Sequence, residues 1–145
     1  MARKHKSLIN LLGGICLFCL LATPAWAAEE PAIQVEVLAK SNLSWDGNPL
    51  PAYPVANPEV TILRIKIPAG AQLPRHRHPV INAGVLVSGE LTVLKEDGQT
   101  LHLRAGDPIV EVVNTWHSGK NEGALPAEII VFYAGERETP ITVKP

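Results

Sequence analysis

The segment Gly70-Ala-Gln-Leu-Pro-Arg-His76-Arg-His78 places two histidines at alternate positions of a predicted strand. Residues two apart on a strand project from the same face, so His76 and His78 are expected to point together. A second segment, Asn114-Thr-Trp-His117-Ser-Gly-Lys-Asn121, supplies a third histidine that could return on a neighbouring strand. Neutral imidazole is the commonest protein ligand for divalent transition metals. We therefore predict a metal site formed by His76, His78 and His117.

Residues 1–27 are predicted to be a secretory signal peptide. Basic residues at the start are followed by an apolar run from Leu8 to Leu21 and then by Ala25-Trp26-Ala27, which carries small side chains at the two positions that a signal peptidase reads. Cleavage is expected between Ala27 and Ala28. An uncleaved membrane anchor is the alternative, but the run is short for a span of about 20 residues. We expect a periplasmic or secreted protein.

Composition narrows the set of partners. Both cysteines lie in the predicted signal peptide, so the remaining 118 residues enter an oxidising compartment without a thiol. Those residues carry 10 Lys and Arg against 14 Asp and Glu, a formal net charge of −4. Mild acidity without a basic cluster argues against nucleic acid and against an anionic membrane surface. The expected partner is a small molecule, with no membrane contact after signal cleavage.

The pattern of apolar residues predicts an all-β fold. Short alternating or β-branched runs are separated by Gly, Pro, Asn and Asp, and no amphipathic helix is evident, which is typical of a sandwich or barrel. Strands are predicted at Ile33–Leu38, Glu59–Ile67, Ala83–Val87, Glu90–Lys95, Gln99–Arg104, Ile109–Val113, Glu128–Tyr133 and Ile141–Val143. We divide the chain into the signal peptide (1–27), an N-terminal strand and loop rich in Pro and aromatic residues (28–58), and a β-barrel (59–145).

Three aromatic residues are candidates for the wall of a pocket. Trp45 and Tyr53 lie in the proline-rich loop, and a flexible linker would rarely carry such large side chains. Two interpretations stay open: the loop plugs one end of the core, or it covers a pocket with Trp45 and Tyr53 touching the ligand. Trp116, directly before His117, is either a wall or a core residue.

The spacing of glycines around the histidines resembles the cupin family. The first cupin motif, G-x5-H-x-H-x3,4-E-x6-G, is matched by Gly70, His76, His78 and Gly89, with Asn82 at the Glu position. The second motif, G-x5-P-x-G-x2-H-x3-N, is matched by Gly106, His117 and Asn121, with Val112 and Asn114 at the Pro and Gly positions. The resemblance implies a single cupin jelly-roll-like β-barrel over residues 59–145.

The same resemblance implies a site chemistry. In many cupins the Glu of the first motif is a fourth metal ligand, and Asn82 replaces its anionic oxygen with an amide that can bind a metal weakly or hydrogen-bond a water or substrate. Cupins with three histidines alone are a known variant, some of them dioxygenases. The resemblance favours iron or manganese, and three nitrogen ligands do not exclude zinc, nickel or copper. It also implies a homodimer, since cupins often share edge strands.

Two functional classes remain open at the level of sequence. The first is an exported metal-dependent oxygenase acting on a small organic molecule, with His76, His78 and His117 as ligands and Asn82 as a ligand or an orienting group. The second is a non-catalytic module that binds or senses a small molecule in the barrel. No Ser-His-Asp or Cys-His arrangement and no phosphate-binding loop is present. The sequence names no general base, so whether the protein is an enzyme stays open.

Overall fold

A computed structural model describes residues 33–145, which contain eight β-strands and no helix. The predicted signal peptide lies outside the described residues. The strands are β1 (Pro58–Ile67), β2 (Gln72–His76), β3 (Ile81–Ser88), β4 (Glu90–Lys95), β5 (Thr100–Arg104), β6 (Pro108–Val110), β7 (His117–Lys120) and β8 (Ala127–Glu136). No helix in the described range is long and apolar enough to cross a membrane.

The strands form two four-stranded antiparallel sheets. One sheet has the order β1-β8-β3-β6, and the other has the order β2-β7-β4-β5. The prediction of an all-β, jelly-roll-like fold is confirmed. The sheets are not closed into one continuous hydrogen-bonded barrel, so the architecture is that of two facing sheets.

Alternation along the strands explains where the core lies. In β8 the side chains of Ala127, Ile129, Val131 and Tyr133 are buried, while those between them are more exposed. Leu86 of β3 is fully buried against them, and the opposite sheet contributes Leu91, Val93 and Leu103 to the same cluster. Each sheet therefore buries one face, as the period-two pattern of its strands requires.

The motif glycine at position 89 has a steric reason. It joins β3 to β4 with a φ of 77°, in the left-handed region that favours glycine. A Cβ placed on it would lie 2.7 Å from the Cα of Ala127. Gly89 is therefore required both by the turn and by the close approach of β8.

Three strand predictions need correction. Ile33–Leu38 forms no strand, and Ile33, Val35 and Val37 are 95%, 87% and 70% exposed. Its alternating pattern has no partner strand within the described chain, and a strand needs one to satisfy its backbone. The strand predicted at Ile109–Val113 ends at Val110. Ile141–Val143 forms only an isolated bridge, between Val143 and Arg77.

Candidate metal centre

Pairing between β2 and β7 brings two of the three histidines together. His76 ends β2, His117 begins β7, and the two are opposite each other in the antiparallel register. His78 lies two residues further on, where it bridges to Val113. The ring centroids are 4.4 to 5.1 Å apart, and the three candidate ligand atoms lie within 4.8 Å of one another. The structure thus gathers His76, His78 and His117 into a single group that could hold a metal ion.

Backbone carbonyls orient all three rings. Each imidazole has its Nδ1 within hydrogen-bonding distance of a carbonyl oxygen, which can only accept, so Nδ1 carries the proton and Nε2 keeps its lone pair. The partners are Pro74 O for His76 at 2.7 Å, Ile141 O for His78 at 2.8 Å and Thr115 O for His117 at 2.8 Å. Such outer hydrogen bonds set the tautomer and ring direction of metal-binding histidines.

Burial keeps two of these rings neutral. The pKa of His78 is lowered to about 4, first by burial and then by the neighbouring imidazoles of His117 and His76. The pKa of His76 is also lowered, chiefly by burial. A neutral imidazole is the form that ligates a metal, so His78 and His76 need not lose a proton to bind one near neutral pH.

The histidines open onto a cavity of about 290 Å³ between the two sheets. Most of its walls are aliphatic: Leu63, Ile65, Leu73, Leu91, Val93, Ile109, Ile129 and Val131. Its polar atoms come from a few side chains besides the histidines: Asn82, Glu111, Ser118, Tyr133, Thr142 and Lys144. A small, largely apolar pocket with few polar groups is typical of a site for a small molecule.

Three of those polar side chains form a row across β8, β3 and the residue that directly follows β6. Asn82 of β3 pairs in register with Tyr133 of β8, and on its other side its carbonyl accepts a hydrogen bond of 3.0 Å from Glu111 N. Directly opposed residues in antiparallel strands share a face, so Tyr133, Asn82 and Glu111 lie side by side on the cavity wall. The Nδ2 of Asn82 is buried without a hydrogen-bond partner.

Tyr133 stands next to the histidine cluster. Its ring meets that of His78 edge-on, with the centroids 5.5 Å apart. Burial, and after it the negative charge of Glu111, raises the pKa of Tyr133 to about 12. The phenol is therefore neutral at physiological pH and can donate a hydrogen bond into the cavity.

Sequence reasoning named neither Glu111 nor Tyr133 as a residue of the site. A usable signal for Glu111 was present, because a carboxylate interrupts the apolar run Ile109–Val113 at an inward-facing position. For Tyr133 the alternation with Ile129 and Val131 is consistent with an inward side chain but does not identify its neighbours. Cross-strand register places these side chains beside the histidines, and register is not readable from a single strand.

The proline-rich loop contacts Glu111 of the cavity wall through Trp45. The indole Nε1 of Trp45 donates a 2.9 Å hydrogen bond to Glu111 Oε1. The adjacent Asp46, whose side chain is fully buried, forms a 2.7 Å ion pair with buried Lys95 of β4. Burial opposes ionisation of Asp46, but hydrogen bonds led by that from Lys95 outweigh it and lower its pKa to about 2. The pair stays charged at neutral pH and holds the loop in place.

None of the three aromatic candidates lines the cavity. Trp45 packs against the core, and its indole donates a hydrogen bond to Glu111 of the cavity wall. Tyr53 is 70% exposed, so the loop does not cover the pocket with it. Trp116 lies under the guanidinium groups of Arg75 and Arg77, at 4.1 and 5.3 Å from its ring centroid. The alternation that turns the histidines inward turns these arginines outward onto the indole.

The C-terminal segment supplies another part of the wall. Ile141 accepts the hydrogen bond from His78, and Thr142 and Lys144 line the cavity. Sequence analysis treated Ile141–Val143 as a closing strand and assigned it no role in the site. Its contribution depends on the bridge between Val143 and Arg77, which brings the segment alongside the histidine-bearing chain.

Residues 63–133 match the family model described as a cupin domain. All three histidines and Asn82 fall within the matched residues, on a fold with the expected two-sheet architecture. Residues 63–133 are therefore identified as a cupin domain. Among curated protein sequences none matches this chain.

Solved structures with the same fold include DMSP lyase DddQ from Ruegeria pomeroyi, with a TM-score of 0.52 and 24% identity over 67% of this chain and 46% of the lyase. A protein with a double-stranded β-helix domain from Klebsiella pneumoniae has a TM-score of 0.52 and 18% identity, over 77% of this chain and 96% of that protein. Oxalate oxidase in complex with glycolate has a TM-score of 0.51 and 21% identity, over 76% of this chain and 59% of the oxidase. These likenesses show the fold alone, and the chain spans about half the length of the lyase.

The low pKa of His78 predicts a window in which acid destabilises the metal-free protein. The ring protonates near its ordinary pKa of 6.5 in the unfolded chain but only near 4 in the folded one, so the unfolded state binds more protons between these values. His78 then leaves the free energy of unfolding unchanged above pH 6.5 and lowers it by about 3 kcal/mol as the pH falls to 4.

Urea denaturation of the metal-free protein across this window measures the effect. His78→Gln should flatten the loss of stability, while His102→Gln, at an exposed histidine outside the site, should leave it as in the native protein. An equally steep loss in His78→Gln and native protein would contradict the prediction.

Proposed function

We propose that this protein is an exported cupin that binds one divalent metal through His76, His78 and His117 and uses it as an oxygenase for a small organic molecule. The observation that carries the proposal is the arrangement of the rings. Each Nδ1–H is bonded to a backbone carbonyl, and the three candidate ligand atoms converge within 4.8 Å.

The donor set fits a transition metal. Three unprotonated ring nitrogens facing one another in a mostly apolar pocket are unsatisfied acceptors, and a shared cation satisfies all of them. Three protein ligands leave coordination positions for other groups, as in catalytic rather than structural sites. A bound ion supplies Lewis acidity and, if it is iron or manganese, redox chemistry with O2.

The remaining residues of the chain would bind and orient the substrate. The aliphatic walls favour a compact, largely apolar molecule and exclude water from around it. Asn82, Glu111 and Tyr133 provide hydrogen-bonding groups along one side, and Lys144 adds a cationic side chain to the lining. We propose iron or manganese as the metal, in line with the cupin resemblance.

The metal assignment predicts close to one divalent ion per chain in the purified protein. His76→Ala removes one of three ligands and should weaken metal binding by more than the roughly 10–100-fold that loss of an outer hydrogen-bond partner costs. His102→Ala, outside the cluster, should retain the native metal content. Elemental analysis after gel filtration measures all three proteins, and equal metal in native protein and His76→Ala would sink the assignment.

The oxygenase assignment predicts metal-dependent oxygen uptake. Iron- or manganese-loaded protein should consume O2 with at least one compound from a panel of catechols, diones and thiols, and His76→Ala should lose the activity. An oxygen electrode and mass spectrometry of the product make the measurement. A ligand that binds tightly and is recovered unchanged would favour a non-catalytic binding module instead.

A single mass measurement tests both signal-peptide removal and dimerisation. The basic start, apolar run and Ala25-Trp26-Ala27 support removal of residues 1–27. β1 is an edge strand with Val60 and Ile62 at 60% and 65% exposure, which supports a homodimer. Native mass spectrometry of periplasmic protein should show a dimer of chains beginning at Ala28. A full-length chain would contradict export, and a monomer would contradict the dimer.

A further inference from the structure

Glu111 is a buried carboxylate in a cavity that is otherwise mainly aliphatic. It is 8% exposed, and a carboxylate at such a place costs several kcal/mol unless it is paired or hydrogen-bonded. Its hydrogen bonds from the described residues come from Trp45 Nε1 at 2.9 Å and Val112 N at 3.0 Å, and both end on Oε1. Across residues 33–145, no side chain forms an ion pair with it and no group donates to Oε2.

An unpaired donor lies beside this unpaired acceptor. Asn82 is opposite Glu111, which directly follows β6, and the Nδ2 of Asn82 is buried with no partner. The two side chains do not bond to each other, although both line the cavity. A hydroxyl group can complete both, since its oxygen accepts from Asn82 Nδ2 while its hydrogen is donated to Glu111 Oε2.

Glu111 is positioned to receive a proton and not to ligate the metal. The group of ligand atoms within 4.8 Å of one another contains the three histidines and no carboxylate. The bond from Trp45 holds one carboxylate oxygen towards the loop, and the ion pair of Asp46 with Lys95 holds that loop to β4.

We propose that Asn82 and Glu111 form a subsite for the acidic hydroxyl of a phenol or enol, and that Glu111 accepts its proton. The O–H bond breaks, its electron pair stays on the ligand oxygen, and the proton moves to Glu111 Oε2 to give a neutral carboxylic acid. The new negative charge on the ligand lies in the cavity that the three histidines also line. This inference rests on the proposed metal site and names the substrate class that the site takes.

The size and lining of the cavity agree with this class. A volume of about 290 Å³ accommodates a single substituted ring, and the aliphatic walls cover its faces. Nitrocatechol is a suitable probe, since it carries two acidic hydroxyls and its visible absorption reports their protonation. The number of protons released when it binds can also be measured.

Calorimetric titration of manganese-loaded protein with nitrocatechol, under nitrogen and in two buffers of different ionisation enthalpy, counts the protons released. In the native protein Glu111 takes up the proton of the ligand hydroxyl. In Glu111→Gln that proton must pass to the buffer, so the variant should release one more proton per bound ligand. It should also bind about 10-fold more weakly or worse, because a charge-assisted hydrogen bond is lost. Glu59→Gln, at an exposed carboxylate of β1, should match the native protein.

A second variant tests the other half of the subsite. Asn82→Ala should weaken nitrocatechol binding without changing the number of protons released, because it removes the donor and leaves the acceptor. Equal proton release by native protein and Glu111→Gln would overturn the role of Glu111. Failure of metal-loaded native protein to bind nitrocatechol would overturn the substrate class.

Metal content separates these failures from failure of the proposed function. Glu111→Gln should carry as much manganese as the native protein, because no carboxylate belongs to the group of ligand atoms formed by the three histidines. If the native protein itself fails to hold manganese, the metal site is wrong and the subsite loses its basis.

Discussion

The antiparallel pairing of β2 with β7 is the contact on which the geometry of the site depends. It sets His76 opposite His117, and the chain leaving β2 brings His78 to within 5.1 Å of His117, measured between ring centroids. Three backbone carbonyls then hold the rings by Nδ1, so the nitrogens that remain free face one another. A shift of one residue in this pairing would turn the side chains of β2 to the other face and disperse the cluster.

The rest of the cavity follows from the cost of burying polar groups without partners. Most of the wall is aliphatic and needs none, whereas Asn82 and Glu111 retain an unused donor and an unused acceptor. A stable interior rarely leaves a buried donor such as Asn82 Nδ2 without a partner. Here the loop that carries Trp45 satisfies one oxygen of Glu111 and leaves the other for a ligand. A carboxylate with one oxygen held by the protein and the other left open is suited to binding a ligand.

Much of the fold was predictable because its strands have a clear period. β1, β4 and β8 lie close to the predicted ranges, since each alternates or is rich in β-branched residues between turn signals. Ile33–Leu38 has the same pattern but forms no strand, because a strand also needs a neighbour. The glycines and histidines of the two motifs were recognisable by spacing. Trp45, Tyr53 and Trp116 were not predictable as lying outside the cavity, because composition does not say which way a loop packs.

The sequence by itself determined the all-β class, the family resemblance and which three histidines belong together, since alternation and motif spacing are properties of the chain's order. Only the tertiary structure decided that Asn82, Glu111 and Tyr133 form a row beside them, and that Ile141 and Trp45 brace the site from distant parts of the chain. Such neighbours are set by cross-strand register and loop packing. Both arise from long-range contacts, which a local pattern does not encode.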